Sequence, residues 1–452
     1  MSGMLCLSID RLKQKPLAPN LVFFRAVLFG ATGFTGALAA EHLARTAPNG
    51  LKWALAGRTQ KKLDDVKQGL LRINDSLKVQ VPPLSPCDCT MVSLTLSSCI
   101  QDLPTLIADS NDLESLDAIT RETRVVVSTI GPFVKYGTPL VDSCVRNKTH
   151  YLDITGEIQW VNQIIKKYHD TAVADGTILV PCCAFDSVPS DLGAFMVVDY
   201  IHQKFERATE DVKFSLTRMT SKAPSGGTIA SMLEFLATSS DPNELTDPYL
   251  VSPVRGVDKF AMPTMYYDRD FGGWQASFLM SAVNERIVRR SFGLKAASGE
   301  SYGKLFKYHE SMTASFFVSV AITIGFIIGA PILVFLLKIP FLRNAIQKMV
   351  TQPGTGPSRE ELDRGSFEVT LVANADTEPY EDHIRVIGKV KGFHDPGYVL
   401  GSMMVVEGAL AILYDKDHIP GKGGILTPAT ALGYPYMDRL KKHGMVFEVQ
   451  RL

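Results

Sequence analysis

The chain has 452 residues, enough for two or three domains with a sizeable core, so a disulfide-stapled mini-scaffold is excluded. Lys plus Arg and Asp plus Glu are both 47, and the resulting zero formal charge lacks the basic excess of a general nucleic-acid binder. With 46% hydrophobic and 21% charged residues the composition is globular, and a slightly positive mean hydropathy points to a concentrated apolar segment.

Residues 1–20 carry one acidic residue and no apolar run long enough for a signal peptide, and read as a flexible tail. A mitochondrial presequence is the alternative, against which stands the lack of Arg-rich amphipathic periodicity. From Leu21 the pattern alternates. Strands are predicted at Ala26–Phe29, Lys52–Ala56, Thr105–Ala108, Arg124–Thr129, Tyr151–Asp153 and Thr177–Val180. Helices are predicted at Thr35–Thr46, Thr59–Leu71, Asn111–Thr120, Thr138–Asn147 and Ile158–Asp175. This α/β rhythm predicts a Rossmann-type doubly wound parallel sheet over 21–190. Residues 79–102, with three prolines and three cysteines, are too long for an ordinary connection and read as an inserted loop.

Beyond Asp191 the rhythm stops, and period-two patterns such as Phe367–Ala373 and His383–Val390 predict an α+β substrate and dimerisation domain over 191–452. The chain is accordingly expected to form a homodimer. Ala314–Leu337 carries 24 residues without a charge, a length of about 36 Å as helix, enough for a hydrocarbon core. The seven cysteines, an odd number with no secretory signal before them, predict free thiols in a reducing compartment.

The first strand runs into Gly30, Ala31, Thr32, Gly33, Phe34, Thr35 and Gly36, a glycine turn that opens a helix. Backbone N–H groups there can approach a pyrophosphate, and the helix N-terminus faces its charge. The end of the second strand, where an acid would hold the ribose hydroxyl of NAD, holds Arg58 and Thr59 instead. A guanidinium suits a 2′-phosphate, so NADP(H) is preferred, with NAD(H) as the alternative. The bland reading is that Arg58, Lys61 and Lys62 only solvate the next helix. Asp109, Gly131, Pro132 and Phe133, at the ends of later strands, complete the expected cofactor contacts.

Ligands of such sheets lie beyond the carboxyl ends of the strands, which here are followed by the segments 128–137, 154–157 and 181–193. Lys135 and Tyr136, in an exposed loop, could donate to a carbonyl. Asp153, Glu157 and Asp186 are carboxylates near strand ends, any of which could supply a proton if its pKa is raised. Asp186 and Asp191 are equally candidates for helix caps. Cys182 and Cys183 read as reactive thiols or as small buried hydrophobes. Tyr200 and Lys204, with Ser187 thirteen residues earlier, imitate a short-chain dehydrogenase dyad at a frequency chance also supplies. The histidines are scattered and predict no metal site. Ser225–Thr228 (SGGT) could hold an anionic substrate group or serve as a plain cap.

These segments as a set resemble the saccharopine dehydrogenase-like oxidoreductase family: GATGFTG, WALAGR, STIGPFVKYG, YLDITGE, CCAFDSVPSDLG, SGGT, the apolar segment, GGILTPATALG and KKHGMVFEV. The resemblance implies a Rossmann domain joined to a saccharopine-reductase-type domain, and association with lipid droplets or membranes. Relatives include mycobacterial trans-acting enoyl reductases of lipid synthesis, which implies reduction of a lipid-linked double bond. Saccharopine turnover is not implied. Ala184 stands where relatives often carry glycine, and 79–102 has no obvious counterpart. No catalytic side chain carries over.

The strands after Phe367 must complete the domain begun before the apolar segment. A single crossing would strand them on the far side of a bilayer, so a monotopic hairpin or a helix kinked at Gly325, Gly329 and Pro331 is expected, with both flanks on the cytosolic face. A wholly buried core helix is the alternative. The leading expectation is an NADPH-dependent reductase of a lipid-like enoyl or carbonyl compound at a membrane or droplet surface. The competing ones are a nucleotide-binding droplet protein without turnover, and short-chain-dehydrogenase chemistry through Tyr200 and Lys204.

Overall fold

The computed structural model describes residues 24–80, 102–221, 244, 246–339, 341–342 and 356–452, with 73–80 as backbone only. The tail at 1–20, most of the inserted loop at 79–102 and the Ser225–Thr228 turn lie outside them.

Six short parallel strands follow the predicted order: β1 (Phe24–Phe29), β2 (Trp53–Gly57), β3 (Thr105–Ile107), β4 (Thr123–Ser128), β5 (His150–Asp153) and β6 (Ile178–Val180). Between them run α1 (Phe34–Thr46), α2 (Gln60–Gln80), α3 (Leu113–Arg121), α4 (Phe133–Arg146) and α5 (Ile158–Asp175). Apart from the edge strand β3, whose Ile107 is exposed, the strands are largely buried because both faces of the sheet are covered. In β1, Ala26 and Leu28 enter one core, while Val27 and Phe29 enter the other with α4 and α5 residues such as Leu140 and Trp160. Their order in the sheet is β6-β5-β4-β1-β2-β3, so the chain reverses direction at the β1/β4 boundary, where a doubly wound sheet opens its crevice.

Two elements depart from expectation. Helix α4 begins at Phe133, five residues before the predicted Thr138, directly after a cis Gly131–Pro132 bond. The other departure is β13 (Gly424–Ile425), which pairs in parallel with β6. The region 191–452 is therefore not one continuous structural unit: its residues 396–442 return to the first sheet. There α10 (Pro396–Tyr414) packs on α1, β4 and β5, and α11 (Pro428–Ala431) and α12 (Gly433–Lys442) follow. Helix α10 is apolar apart from Ser402 and Glu407 and 78% buried along its most apolar stretch, the position of a core helix.

The second sheet has the order β14-β12-β11-β7-β10-β9-β8, built from β7 (Thr209–Thr220), β8 (Tyr266–Asp268), β9 (Gly273–Ser277), β10 (Lys307–Ala314), β11 (Ser366–Ala375), β12 (Arg385–Phe393) and β14 (Val446–Arg451). All its pairings are antiparallel except β7 with β10. Helix α6 (Val188–Phe205) leads into this sheet and packs on it, with Leu192 and Val197 in the same core as Leu371 and Val390. Helix α7 (Ser281–Ala297) packs on α6 and β10, and the short α9 (Arg359–Asp363) precedes β11.

The uncharged segment forms α8 (Phe316–Leu337), one continuous helix with a π-helical stretch at Gly325–Gly329. A reversal within it, the predicted hairpin, is not formed, and neither is the buried core helix. Only 6% of its most apolar stretch is buried. Strands β10 before it and β11 after it flank β7 in one sheet, so both ends of the helix belong to the same folded body.

Candidate active site

The glycine turn between β1 and α1 has the form its sequence predicts. Gly30 adopts φ +91°, a left-handed conformation that favours glycine, and accepts from the Gly33 N–H at 3.0 Å. At Gly36 a Cβ would stand 2.1 Å from the Gly30 carbonyl oxygen and 2.8 Å from Thr129 Oγ1, so only glycine lets the helix lie against the turn. Gly33 differs. It is exposed, its φ is −80°, and a Cβ would meet nothing closer than 3.4 Å. The fold leaves space above Gly33, as close approach of a pyrophosphate requires. No side chain caps α1, so its first N–H groups keep their capacity for an anion.

Thr32 and Thr35 are half-buried at the turn, and the Thr35 carbonyl accepts from Ser402 of α10 at 3.0 Å. The Phe34 ring packs edge-on against Tyr398, centroids 5.1 Å apart. Its side chain thus fixes α1 to the C-terminal helices and leaves the backbone to face the crevice. Arg58 and Thr59 follow β2 directly, both exposed, and Arg58 forms no ion pair among the described residues. Asp109, just beyond β3, turns its carboxylate on the Asn111 backbone and side chain at 2.9 and 3.1 Å. These residues fit a phosphorylated dinucleotide: an open glycine, an uncapped helix terminus and an exposed guanidinium at the ribose end.

The segment after β4 is not the open loop expected. Gly131 is exposed, Pro132 caps α4, and Lys135 and Tyr136 sit in that helix's first turn. Tyr136 is half-buried, and its hydroxyl forms no hydrogen bond among the described residues. Glu157 carries the capping: its two oxygens accept from the Phe133 and Val134 N–H groups, each at 2.8 Å. A carboxylate at a helix N-terminus also meets the positive end of the helix dipole. Glu157 is therefore a structural anchor and not a proton donor. Glu157→Gln, which exchanges one acceptor for an N–H donor, is expected to cost about 1–2 kcal/mol, read as a lower Tm.

Asp153 is fully buried and accepts from Tyr151 Oη at 2.8 Å, Thr155 N at 2.9 Å and Cys182 N at 3.1 Å. Burial pushes it up to about 7 against those hydrogen bonds. Its oxygens are spent on joining the β5 and β6 loops, including Cys182 at φ +59°. Burial likewise holds Cys182 well above the ordinary thiol range and Cys183 up to about 12, so neither is a reactive thiolate.

Asp186 is the exception among the three carboxylates. It is half-buried and accepts no hydrogen bond among the described residues. One oxygen lies 3.5 Å from where a Gly156 Cβ would stand, and the Met280 methyl lies 3.7 Å from the same point. Surrounding protein pushes its carboxyl up to about 6. Neither Asp186 nor Asp191 caps α6, whose N-cap is Ser187 without a side-chain bond. Asp191 instead accepts from the Ala429 N–H at 2.7 Å, serving α11, and from Ser291.

The Tyr200 and Lys204 reading is corrected by position. Ser187 opens α6 at the crevice, and thirteen helical residues place Tyr200 about 20 Å further along. Tyr200 packs against Phe205 at 6.2 Å, and Ser187 is buried against Asn284 at 3.4 Å. These groups do not converge.

One cluster was invisible to spacing arguments. His42 of α1 and His443 after α12 both reach Glu407 Oε1, at 2.9 and 3.1 Å, and the ligand atoms lie within 4.8 Å of one another. Arg439 takes the second oxygen at 3.2 Å, so a cation here would face a guanidinium. Burial would raise Glu407, yet its hydrogen bonds to His42 and His443 prevail and hold it at about 2. The group acts as a clamp between the dinucleotide helix and the C-terminal helices.

Comparison with known proteins agrees with this construction. A family profile described as the saccharopine dehydrogenase NADP binding domain matches residues 26–180. A Mycobacterium tuberculosis protein provisionally named a trans-acting enoyl reductase is 33% identical over 458 residues, covering 95% of this chain and 98% of its own. The trans-acting enoyl reductase of Mycobacterium ulcerans is 31% identical over 458 residues, with coverage of 95% and 98%. Saccharopine dehydrogenase from Saccharomyces cerevisiae matches in structure with a TM-score of 0.52 at 12% identity, over 95% of this chain and 100% of its own, which shows the shared fold. The chain belongs to the saccharopine dehydrogenase-like family of NADP-binding oxidoreductases, as the mycobacterial trans-acting enoyl reductases do.

Proposed function

We propose that the chain is an NADPH-dependent reductase of a lipid-like enoyl or carbonyl compound, working on the cytosolic face of a membrane or lipid droplet. The observation that carries the reading is Asp186: a carboxyl raised to about 6, without a hydrogen-bonding partner among the described residues, in the segment between β6 and α6 and beside Gly156. A bound nicotinamide would supply the hydride. The chain's own residues would do the rest. The α1 N-terminus and Gly33 would hold the pyrophosphate, Arg58 the 2′-phosphate, and Asp186 would deliver a proton to the reduced substrate. The names of the mycobacterial relatives support an enoyl substrate, and the exposed apolar α8 supports a lipid surface.

The test begins with calorimetric titration of NADPH and NADH. Arg58→Ala is expected to weaken NADPH by about ten- to a hundredfold, the loss of one charge-assisted contact, and to leave NADH unchanged. Absence of binding by either nucleotide to the folded protein would sink the reductase reading. NADPH binding without any lipid-dependent NADPH oxidation would favour a nucleotide-binding droplet protein.

A further inference from the structure

Beside α8 lies a cavity of about 180 Å³ that the dinucleotide site does not use. Its walls differ in chemistry. The outer side is apolar, formed by Phe260, Met262, Leu279 and Phe326, the last contributed by α8 itself. Three of these face solvent to an extent unusual for large apolar side chains: Phe260 at 49%, Met262 at 66% and Leu279 at 58%. They extend the bare surface of α8, where Phe317 is 81% and Phe335 is 67% exposed. Exposed apolar side chains in this number, joined to α8 through Phe326 at the cavity wall, mark a surface that meets another phase or partner.

The inner side is polar and tightly organised. Glu310 is buried and is held by Tyr308 Oη at 2.8 Å and Asn284 Nδ2 at 3.0 Å. Burial pushes it up to about 7. Arg289 is occupied by Asp258 at 2.8 Å and Glu285 at 3.0 Å, and His309 pairs with Glu285 at 3.2 Å. Lys259 and Arg286 also line the cavity, so cationic donors outnumber the carboxylates and the wall offers hydrogen bonds to an oxygen-bearing group. A cavity near 150 Å³ holds a molecule the size of benzene, so this one has room for a small polar end and not for a long chain.

The cavity also borders the crevice. Leu279 and Ser281 line it, while Met280 between them places its methyl group 3.7 Å from the Gly156 Cβ position that Asp186 approaches at 3.5 Å. The turn 279–281 is shared by the two spaces.

We propose that this cavity is the entry port for substrate, and that it receives a membrane-dissolved amphiphile with its small, oxygen-bearing polar end first. The hydrocarbon tail stays in the lipid alongside α8. The inference rests on the reductase reading above and specifies its substrate class: a lipid that never leaves the membrane phase. The polarity of the walls sets the direction. An acyl tail entering first would place methylene groups against this charged wall and displace water from it without replacement, whereas a hydroxyl or carbonyl end finds partners there and keeps the tail in hydrocarbon.

Two photoactivatable long-chain alcohols in phosphatidylcholine vesicles test this with the full chain, without requiring turnover. One carries its diazirine beside the hydroxyl, the other at the terminal methyl, and adducts are mapped by mass spectrometry. The hydroxyl-end probe is expected to label 260–264 and 278–282, and the methyl-end probe 316–337. Met262→Gln with Leu279→Gln, both at exposed positions that a glutamine tolerates, is expected to reduce cavity labelling about fivefold. Labelling of the cavity by the methyl-end probe, or confinement of both probes to 316–337, overturns the proposal. If NADPH titration still succeeds, that result leaves the reductase reading standing. Absence of labelling at both sites overturns the proposal together with the membrane setting.

Discussion

Asp186→Asn is expected to lower kcat/KM for NADPH-dependent reduction by about 10²- to 10⁴-fold while leaving the Kd for NADPH unchanged. Asparagine keeps the shape and polarity of the side chain and removes only the transferable proton. The choice of Asp186 over its neighbours follows from how each is occupied. Glu157 gives both oxygens to the start of α4, and Asp153 accepts from Tyr151, Thr155 and Cys182. Only Asp186 is left without a hydrogen bond among the described residues, half-buried in the segment between β6 and α6.

The same assignment sets a pH dependence. The donor must be protonated, and its carboxyl is raised by burial to about 6. In the wild type, kcat/KM should therefore fall as pH rises through about 6, and the residual activity of Asp186→Asn should not follow that limb. A variant with the same limb and little loss of rate would move the proton donor elsewhere, with the half-buried Tyr136 in the first turn of α4 as the next group to change.

Legibility of the sequence divided along physical lines. Strands β1 to β6 are flanked by turn residues and, apart from the edge strand β3, largely buried, so apolar runs placed them within about two residues. The glycine turn was legible because a strand, a left-handed Gly30 and a helix must follow one another locally. The start of α4 was missed because the segment after Pro132 read as an exposed loop, whereas Pro132 stands at the N-cap and the helix runs on through Pro139. Strand β13 has two residues and no period to detect, and its presence in the first sheet depends entirely on tertiary pairing with β6. Tyr200 and Lys204 satisfied a spacing rule, but the direction of α6 carries them away from the crevice. Glu157 as a cap and the His42, Glu407 and His443 clamp join residues far apart in the chain, His42 and Glu407 by 365 positions. Such sites leave no local signal in a single sequence. The exposed α8 shows the opposite case: composition identified the segment, while its path, a continuous helix instead of a hairpin, depended on backbone geometry.

The glycines of the turn offer a pair of substitutions with opposite structural costs. Gly36→Ala places a methyl 2.1 Å from the Gly30 carbonyl oxygen, a backbone atom that cannot rotate away. Helix α1 must then shift outward, at a cost of about 1–3 kcal/mol in stability. A displacement of the order of 1 Å at the anion-binding terminus is expected to weaken NADPH by about a hundredfold. Gly33→Ala meets only an ordinary 3.4 Å contact in the free chain and keeps an allowed φ of −80°. Its stability should stay within about 0.5 kcal/mol of the wild type, as for other unstrained exposed positions. NADPH binding should nevertheless fall, because the methyl group would occupy the space left for the pyrophosphate. Thermal unfolding and calorimetry on the two variants separate the roles: Gly36 is required by the fold and by the ligand, Gly33 by the ligand alone. If Gly33→Ala binds NADPH as tightly as the wild type, the dinucleotide does not pass over this turn, and the assignment of the crevice fails with it.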